Sequence, residues 1–227
     1  TPNSFEAREV PKHGYAIEVI DSFRLRGQKI TSLFSAPYRM TRAIYQALSV
    51  LRENKPNVVL GMGGFASGPG GLAAALLRIP LVIHEQNTVP GLTNRWLSKL
   101  ADRILQAFPN SLPQDTVVTC GNPVRESILS IERSEKPVDE KLQILIVGGS
   151  LGARALNDHL PEALSLLTPM EQPKVLHQVG RNDLHEVQSR YEQFGVAAEV
   201  VEFIDDMAAA YQEADLVVCR AGALTVS

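Results

Sequence analysis

Four side chains with chemistry to offer stand together in His84-Glu85-Gln86-Asn87, directly behind the apolar run Pro80-Leu81-Val82-Ile83. A strand ending this way presents them at its carboxyl end, where open α/β sheets place their ligands. His84 and Glu85 are the titratable groups that can assist in taking a proton from a hydroxyl nucleophile. Asn87 donates and accepts at once, which suits a sugar hydroxyl or an acetamide group. Four polar residues in a row are expected outside the core.

Three glycine-rich loops, each behind an apolar run, supply a second kind of chemistry. They are GMGGFASGPGG at 61–71, GGSLGA at 148–153 and RAGALT at 220–225. A strand that passes through glycines into a helix leaves free backbone N–H groups at the positive end of the helix dipole. Such a turn attracts a phosphate or a sugar oxygen. Ser150 adds a hydroxyl donor in the second loop, which suits a diphosphate; its alternative role is a helix cap. Gly61, Gly63 and Ala66 also satisfy a dinucleotide fingerprint, with Glu85 as the ribose acid. The length of that loop and the interrupting Pro69 favour a sugar- or phosphate-facing role instead. Arg125, after Gly121-Asn122-Pro123-Val124, carries a planar fork suited to phosphate or a base edge. Phe203-Ile204 offers a flat aromatic beside a free backbone amide and carbonyl for a base, with Asp205 or Asp206 as an N-cap for the next helix.

The elements that must position these groups alternate strand and helix. Residues 15–20 read as a strand and 37–55 as a helix, with Ile44, Ala47, Leu48 and Leu51 at helical spacing. Strands at 57–60, 80–83, 104–107 and 117–119 follow, with a helix starting at Gly71 and another over 92–100. Residues 130–141 are charged, hold Pro137, show no period and read as a linker. Beyond it, strands at 142–147, 174–179, 199–203 and 215–219 alternate with helices over about 153–167, 182–194 and 206–212. This order implies two α/β domains with parallel sheets. The domains expected are 1–129 and 142–227.

Charge is unevenly spread. The chain of 227 residues has a net charge of −3, yet residues 22–55 hold seven basic side chains against one acidic. The first half therefore prefers an anionic partner. Cys120 and Cys219 lie in no metal spacing and read as buried free thiols. No D-x-D pair, P-loop or Cys/His cluster is present, so neither a metal nor a cofactor is implied.

GMGGFASGPGG, HEQN, GNPVR, VGGSLGARALN, EFIDDMAAAY and VVCRAGALTVS occur in this order. Together they closely resemble the MurG family of bacterial peptidoglycan GlcNAc transferases, nearly end to end. The resemblance implies a GT-B fold, two Rossmann-like parallel-sheet domains facing a cleft, both incomplete here. It implies transfer of GlcNAc from UDP-GlcNAc to the MurNAc 4-hydroxyl of undecaprenyl-pyrophosphoryl-MurNAc-pentapeptide, lipid I, giving lipid II. By that likeness Ile204 pairs with uracil beside Phe203, and Gly149 and Ser150 meet the diphosphate. Ala223, Leu224, Thr225, Val226 and Ser227 line the diphosphate and ribose region. Asn87 and Arg125 approach the donor from the first domain. Gly63, Gly64, Ser67 and Gly68 form a loop for the acceptor and its diphosphate. Phe65 stands where many relatives carry tyrosine.

The family's first loop, G-G-T-G-G-H, with the leading candidate for general base, is not in this sequence. Neither are the acidic residue and glutamines expected after Ser227. The sequence reads as an internal piece, expected to be inactive alone; within it His84 and Glu85 are the remaining, weaker candidates for catalysis. Leu25, Ile30, Leu33, Phe34, Tyr38 and Met40 interleave with Arg24, Arg26, Lys29, Arg39 and Arg42. Residues 24–44 are thus expected to rest on an anionic bilayer at the cytoplasmic face of the bacterial inner membrane, as a peripheral protein. No nucleic-acid partner is implied. A UDP-GlcNAc 2-epimerase-like enzyme and an NAD-dependent dehydrogenase are the alternatives.

Overall fold

The computed structural model describes residues 5–20, 36–112, 117–132, 141–149, 152–181, 183–223 and 225. The chain divides into two compact units, Thr1–Asn122 and Pro123–Ser227. Among the described residues each unit holds one four-stranded sheet, and every strand pairing in both is parallel.

The first unit opens with α1 (Phe5–Lys12) and α2 (Ala36–Asn54). Residues 15–20, expected as a strand, are exposed as far as residue 19 and pair with no strand among the described residues. An extended segment without a ladder partner is not a strand. In α2, Ala43 and Ala47 are buried, and Leu51 packs on the core one turn further on. Lys55, at φ 45°, and Pro56 end that helix.

Next come β1 (Val59–Gly61), α3 (Gly64–Leu76), β2 (Leu81–Glu85), α4 (Leu92–Leu97), β3 (Arg103–Gln106) and β4 (Val117–Thr119), with strand order β1-β2-β3-β4. The helix expected from Gly71 begins at Gly64, so most of the first glycine-rich segment is helical. One of its glycines, Gly71, is required by packing. A Cβ on Gly71 would lie 2.7 Å from a Leu97 methyl, so the glycine lets α3 approach α4. The core beneath holds Ala74, Leu81, Ile83, Leu97, Ile104 and Leu112.

The second unit contains α5 (Glu126–Leu129), β5 (Gln143–Val147), α6 (Arg154–Ser165), β6 (Lys174–Gln178), α7 (Leu184–Gln193), β7 (Glu199–Val201), α8 (Met207–Glu213) and β8 (Leu216–Cys219). Because α5 packs on α8, the unit starts at Pro123, ahead of the linker drawn from the sequence. Its strand order is β7-β6-β5-β8. The chain builds outward from β5 through β6 to β7, then crosses back to place β8 on the other side of β5. That reversal creates a topological switch point between β5 and β8. Alternation along β5 sends Ile146 into a cluster with Leu164, Val175, Val179, Val187 and Tyr191. Leu145 goes to the opposite face with Ala210 and Ala214.

The two sheets share one device. The Asp102 carboxylate accepts from the Leu81 N–H at 2.8 Å, and the Asp215 carboxylate accepts from the Gln143 N–H at 2.7 Å. Each aspartate stands just before a strand and ties off the first amide of the neighbouring one.

Within the second core, His177 is wholly buried, and its Nδ1 lies 3.0 Å from the Tyr191 hydroxyl. Burial holds the imidazole down at about 4, against an ordinary 6.5. The folded state therefore keeps His177 neutral where the unfolded chain protonates it. Its contribution is complete above about 6.5 and is lost as pH falls towards 4. The loss amounts to about 1.4 kcal/mol per pH unit at its steepest. Urea unfolding from pH 7 to 4.5 is expected to show this slope in wild type and a smaller one in His177→Gln. Equal slopes would rule the assignment out.

Candidate functional site

The carboxyl ends of the first sheet gather the HEQN residues, the first glycine turn and the segment after β4. His84 and Glu85 are the last two residues of β2, 4% and 1% exposed, so they belong to the core and not to its surface. The expectation that all four polar residues stand outside the core is corrected for these two. Both Glu85 oxygens and the His84 Nε2 are engaged, while the His84 Nδ1 is buried with no hydrogen-bond partner among the described residues. The His84 Nε2 lies 2.9 Å from the Gly121 carbonyl, which ties the end of β2 to the segment after β4.

Glu85 accepts four hydrogen bonds. Its Oε1 takes the Asn87 backbone N–H at 2.9 Å and the Asn87 side-chain amide at 3.0 Å. Its Oε2 takes the Gly91 N–H at 3.1 Å and the Asn94 amide at 3.0 Å. Burial pushes this carboxyl up, but the hydrogen bonds from Asn87, Asn94 and Gly91 outweigh it and hold the group below its ordinary value. An ionised carboxylate so engaged is a weak base. Gln86 donates to the Met62 and His84 carbonyls, and the Asn122 amide donates to the Gln86 carbonyl at 3.1 Å. The loops after β1, β2 and β4 are thereby joined.

Gly63 caps α3 at φ 79°, and Gly64 follows at φ 76°. No side chain caps this helix start, and the positive end of a helix dipole suits an anion. The expected Gly63-Gly64-Ser67-Gly68 loop is thus a helix terminus. Ser67 gives its hydroxyl to the Gly63 carbonyl at 2.6 Å, and Gly68 faces a Thr93 methyl. Of the four, Gly63 and Gly64 remain at the sheet's end.

In the second unit the switch point is lined by the loops after β5 and β8. Gly148 donates to the Gln178 carbonyl at 2.9 Å, and Gly152 donates to Gly149. The Arg220 guanidinium donates to the Gly148 carbonyl at 3.2 Å, joining the two loops and placing a fixed cation beside them. An open cavity of about 490 Å³ lies alongside, with Gly152, Arg154, Asn157, Asp183 and Arg220 in its wall. Asn157, at 3% exposure, gives its amide to the Val179 carbonyl at 3.1 Å and the Asp183 carboxylate at 2.9 Å.

Phe203 is 53% exposed, while Ile204 packs beside Leu145. Asp206 caps α8 by accepting from the Ala209 N–H at 3.0 Å. Arg125 is exposed ahead of α5. Burial pushes the Tyr211 hydroxyl of α8 up, with charge at Cys219 adding to the push and the Arg125 guanidinium opposing it. Gly149 stands in its loop at φ 80°. Ala223 and Thr225 sit in a turn closed by a Thr225-to-Gly222 hydrogen bond. Ser150, Leu224, Val226 and Ser227 lie outside the described residues, as do 24–35 of the basic apolar stretch. Both cysteines are free, but Cys120 is exposed at the end of edge strand β4 and Cys219 is half-buried; neither is the buried thiol expected.

Sequence reading placed Arg220 in the third loop without giving its side chain a role, and it missed Asn157 and Asp183 as neighbours of this site. Asn157 falls on the inward face of α6, and only its polar type at a helical core spacing could have flagged it.

The chain matches the glycosyltransferase family 28 N-terminal domain over residues 1–106 and the family's C-terminal domain over residues 143–227. It is 49% identical to the UDP-N-acetylglucosamine--N-acetylmuramyl-(pentapeptide) pyrophosphoryl-undecaprenol N-acetylglucosamine transferase of Shewanella baltica, covering all of this chain and 64% of that protein. The Shewanella oneidensis protein of the same name gives 49%, with the same coverage. The chain thus spans about two-thirds, just under, of the curated relatives it matches. The crystal structure of Acinetobacter baumannii MurG superposes with a TM-score of 0.71 at 41% identity, over 100% of this chain and 63% of that one. A UDP-GlcNAc 2-epimerase from Neisseria meningitidis bound to UDP-GlcNAc gives 0.57 at 16% identity, over 86% and 62%, a likeness of fold alone.

The second loop's glycines differ in what they tolerate. Gly152 has φ 74°, and a Cβ there would stand 2.5 Å from the Val179 carbonyl oxygen. Gly149 has φ 80°, and its nearest neighbour would be an Arg220 nitrogen at 3.7 Å. Gly152→Ala is expected to cost about 3 kcal/mol, from left-handed strain plus a backbone clash. Gly149→Ala should cost about 1 kcal/mol, from the conformation alone. Denaturant melts of the two variants check this, and equal losses would contradict it.

Proposed function

The chain belongs to glycosyltransferase family 28, among its MurG-like members, and on that premise we propose that it carries the donor loops and part of the acceptor site of a GlcNAc transferase. The reaction moves N-acetylglucosamine from UDP-GlcNAc to the MurNAc 4-hydroxyl of undecaprenyl-pyrophosphoryl-MurNAc-pentapeptide. The observation that carries this reading is the end-to-end likeness to relatives named for that transfer. The switch-point geometry supports it independently.

In the proposed step the acceptor 4-hydroxyl oxygen attacks the anomeric carbon of GlcNAc. The bond from that carbon to the β-phosphate oxygen breaks, UDP leaves with the electron pair, and the hydroxyl proton passes to a base. Negative charge grows on the departing diphosphate. The Arg220 guanidinium, held beside the Gly148-Gly149 turn, supplies fixed positive charge for it. Phe203, Ile204 and Arg125 are assigned to the nucleoside end, Ala223 and Thr225 to the ribose and diphosphate, and Asn87 to the sugar. The uncapped start of α3 at Gly63-Gly64 suits the acceptor's diphosphate. His84 and Glu85 are not assigned as the base, since both are buried and Glu85 is held ionised.

Attachment to the cytoplasmic face of an anionic membrane is part of the same proposal. Its support is the basic apolar composition of 24–44, and the exposure of Tyr38 and Met40 at the start of α2. Among the described residues no helix is long and apolar enough to cross a membrane. Flotation with vesicles should be stronger for anionic than for neutral lipid; indifference to lipid charge would remove this part.

The central test is transfer of labelled GlcNAc from UDP-GlcNAc to a short-chain lipid I analogue. It is run with this chain and with one extended to its relatives' full length. Transfer by the extended chain, and little by the shorter one, is the expected result. A folded extended chain that transfers nothing would overturn the reading and bring a UDP-GlcNAc 2-epimerase activity forward.

A further inference from the structure

Asn87 is exposed, yet its side chain is held by a carboxylate that the sheet buries. A surface asparagine left free keeps its rotamer entropy and is solvated by water, so the asparagine itself gains little from being held. A buried carboxylate, conversely, must be satisfied by donors, and Glu85 finds two in the Gly91 N–H and the Asn94 amide. Its other oxygen is given over to Asn87, through both the backbone N–H and the side-chain amide. Two bonds from one residue to one oxygen fix the peptide and the carboxamide together. The Asn87 Oδ1 and its second Nδ2–H are left for a ligand.

The support behind Glu85 is also rigid. The Asn94 amide bridges Glu85 to the His84 carbonyl at 3.0 Å. Gly63, at φ 79°, leaves room for that amide, since a Cβ there would lie 3.3 Å from it. Gln86, between Glu85 and Asn87, is pinned in turn: its amide donates to the Met62 carbonyl and its carbonyl accepts from the Asn122 amide.

We propose that Glu85 is a positioning residue whose buried carboxylate locks the exposed Asn87 carboxamide in the orientation that reads the sugar. Glu85 itself does not touch the substrate. This rests on the assignment of Asn87 to the sugar made above. An ordinary carboxylate base at this place would bring its own oxygen to the hydroxyl; here both oxygens are engaged by protein donors. Glu85→Gln replaces one accepting oxygen with an NH₂ group. That group would face an N–H donor whichever way the amide is turned, so the lock is lost while volume is kept.

The experiment uses the chain extended to its relatives' full length. Asn87→Ala, Glu85→Gln and the double variant are compared for kcat and KM with UDP-GlcNAc and the lipid I analogue. Each single variant should lose about tenfold or more in kcat/KM, with the same split between kcat and KM. The double variant should be no worse than the poorer single one within about threefold, as expected of residues acting as a unit. Losses that multiply, different splits, or a Glu85→Gln enzyme with wild-type kinetics would overturn the proposal. A pH profile adds a second reading. Glu85→Gln should keep the acidic limb of kcat/KM, whereas loss of that limb would make Glu85 the base and not a positioner.

If Glu85→Gln does not fold, NMR of the wild type decides. The Asn87 side-chain amide should give two well-separated proton resonances that move as Glu85 titrates. Resonances at free-asparagine positions, insensitive to that titration, would overturn the lock. A wild-type enzyme without transferase activity would remove the transferase reading and leave the NMR result to judge the lock alone.

Discussion

A parallel strand buried on both faces must hand its chain to a helix at its carboxyl end, and nearly everything functional in this protein follows from that constraint. All described pairings are parallel, so each sheet collects its exits along one edge. Those exits need backbone that turns sharply with little side-chain volume. Gly63, Gly64, Gly149 and Gly152 meet the need with positive φ. The same turns leave amides without intrahelical partners, and a group that cannot be satisfied inside must be satisfied by something else. Anion affinity is thus a by-product of how the sheets are built.

The two units solve a shared problem with different parts. Each uses an aspartate ahead of a strand, Asp102 or Asp215, to tie off the first amide of the strand beside it. At the opposite, carboxyl edge they diverge. The first unit spends polar side chains there: Glu85, Gln86, Asn94 and Asn122 knit three loops together. The second spends a cation, with Arg220 reaching across the switch point to Gly148. A lattice of amides suits a neutral, hydroxyl-rich sugar, and a guanidinium fixed at a glycine turn suits a diphosphate.

Burial settles which titratable groups are chemistry and which are structure. Glu85 and His177 both lie deep in their units, yet they are held in opposite charge states. Glu85 stays ionised because four donors surround it. His177 stays neutral because its hydrogen-bond partner is a single tyrosine hydroxyl and the rest of its surroundings are apolar. Neither arrangement suits a group that must exchange protons with a substrate at neutral pH.

The alternation of apolar runs and helical periods was enough to place the two sheets, most strand positions and the second unit's helices beyond α5, because period and local composition are carried by neighbours in sequence. The ordered motifs were enough to point to the family. What sequence misjudged depends on distant partners. Residues 15–20 have strand-like composition but no described strand to pair with. The glycine run from Gly64 is helical, and Gly71 within it lets α3 approach Leu97 of α4, a partner 26 residues away in sequence. His84 and Glu85 look like surface chemistry in one dimension and are core in three, since only folding brings Gly121, Gly91 and Asn94 to them. Residue types and spacing therefore determined which chemical groups this protein owns. Tertiary structure decided which of them water and a ligand can reach, because burial and hydrogen-bond satisfaction are properties of neighbours that the chain supplies from far away.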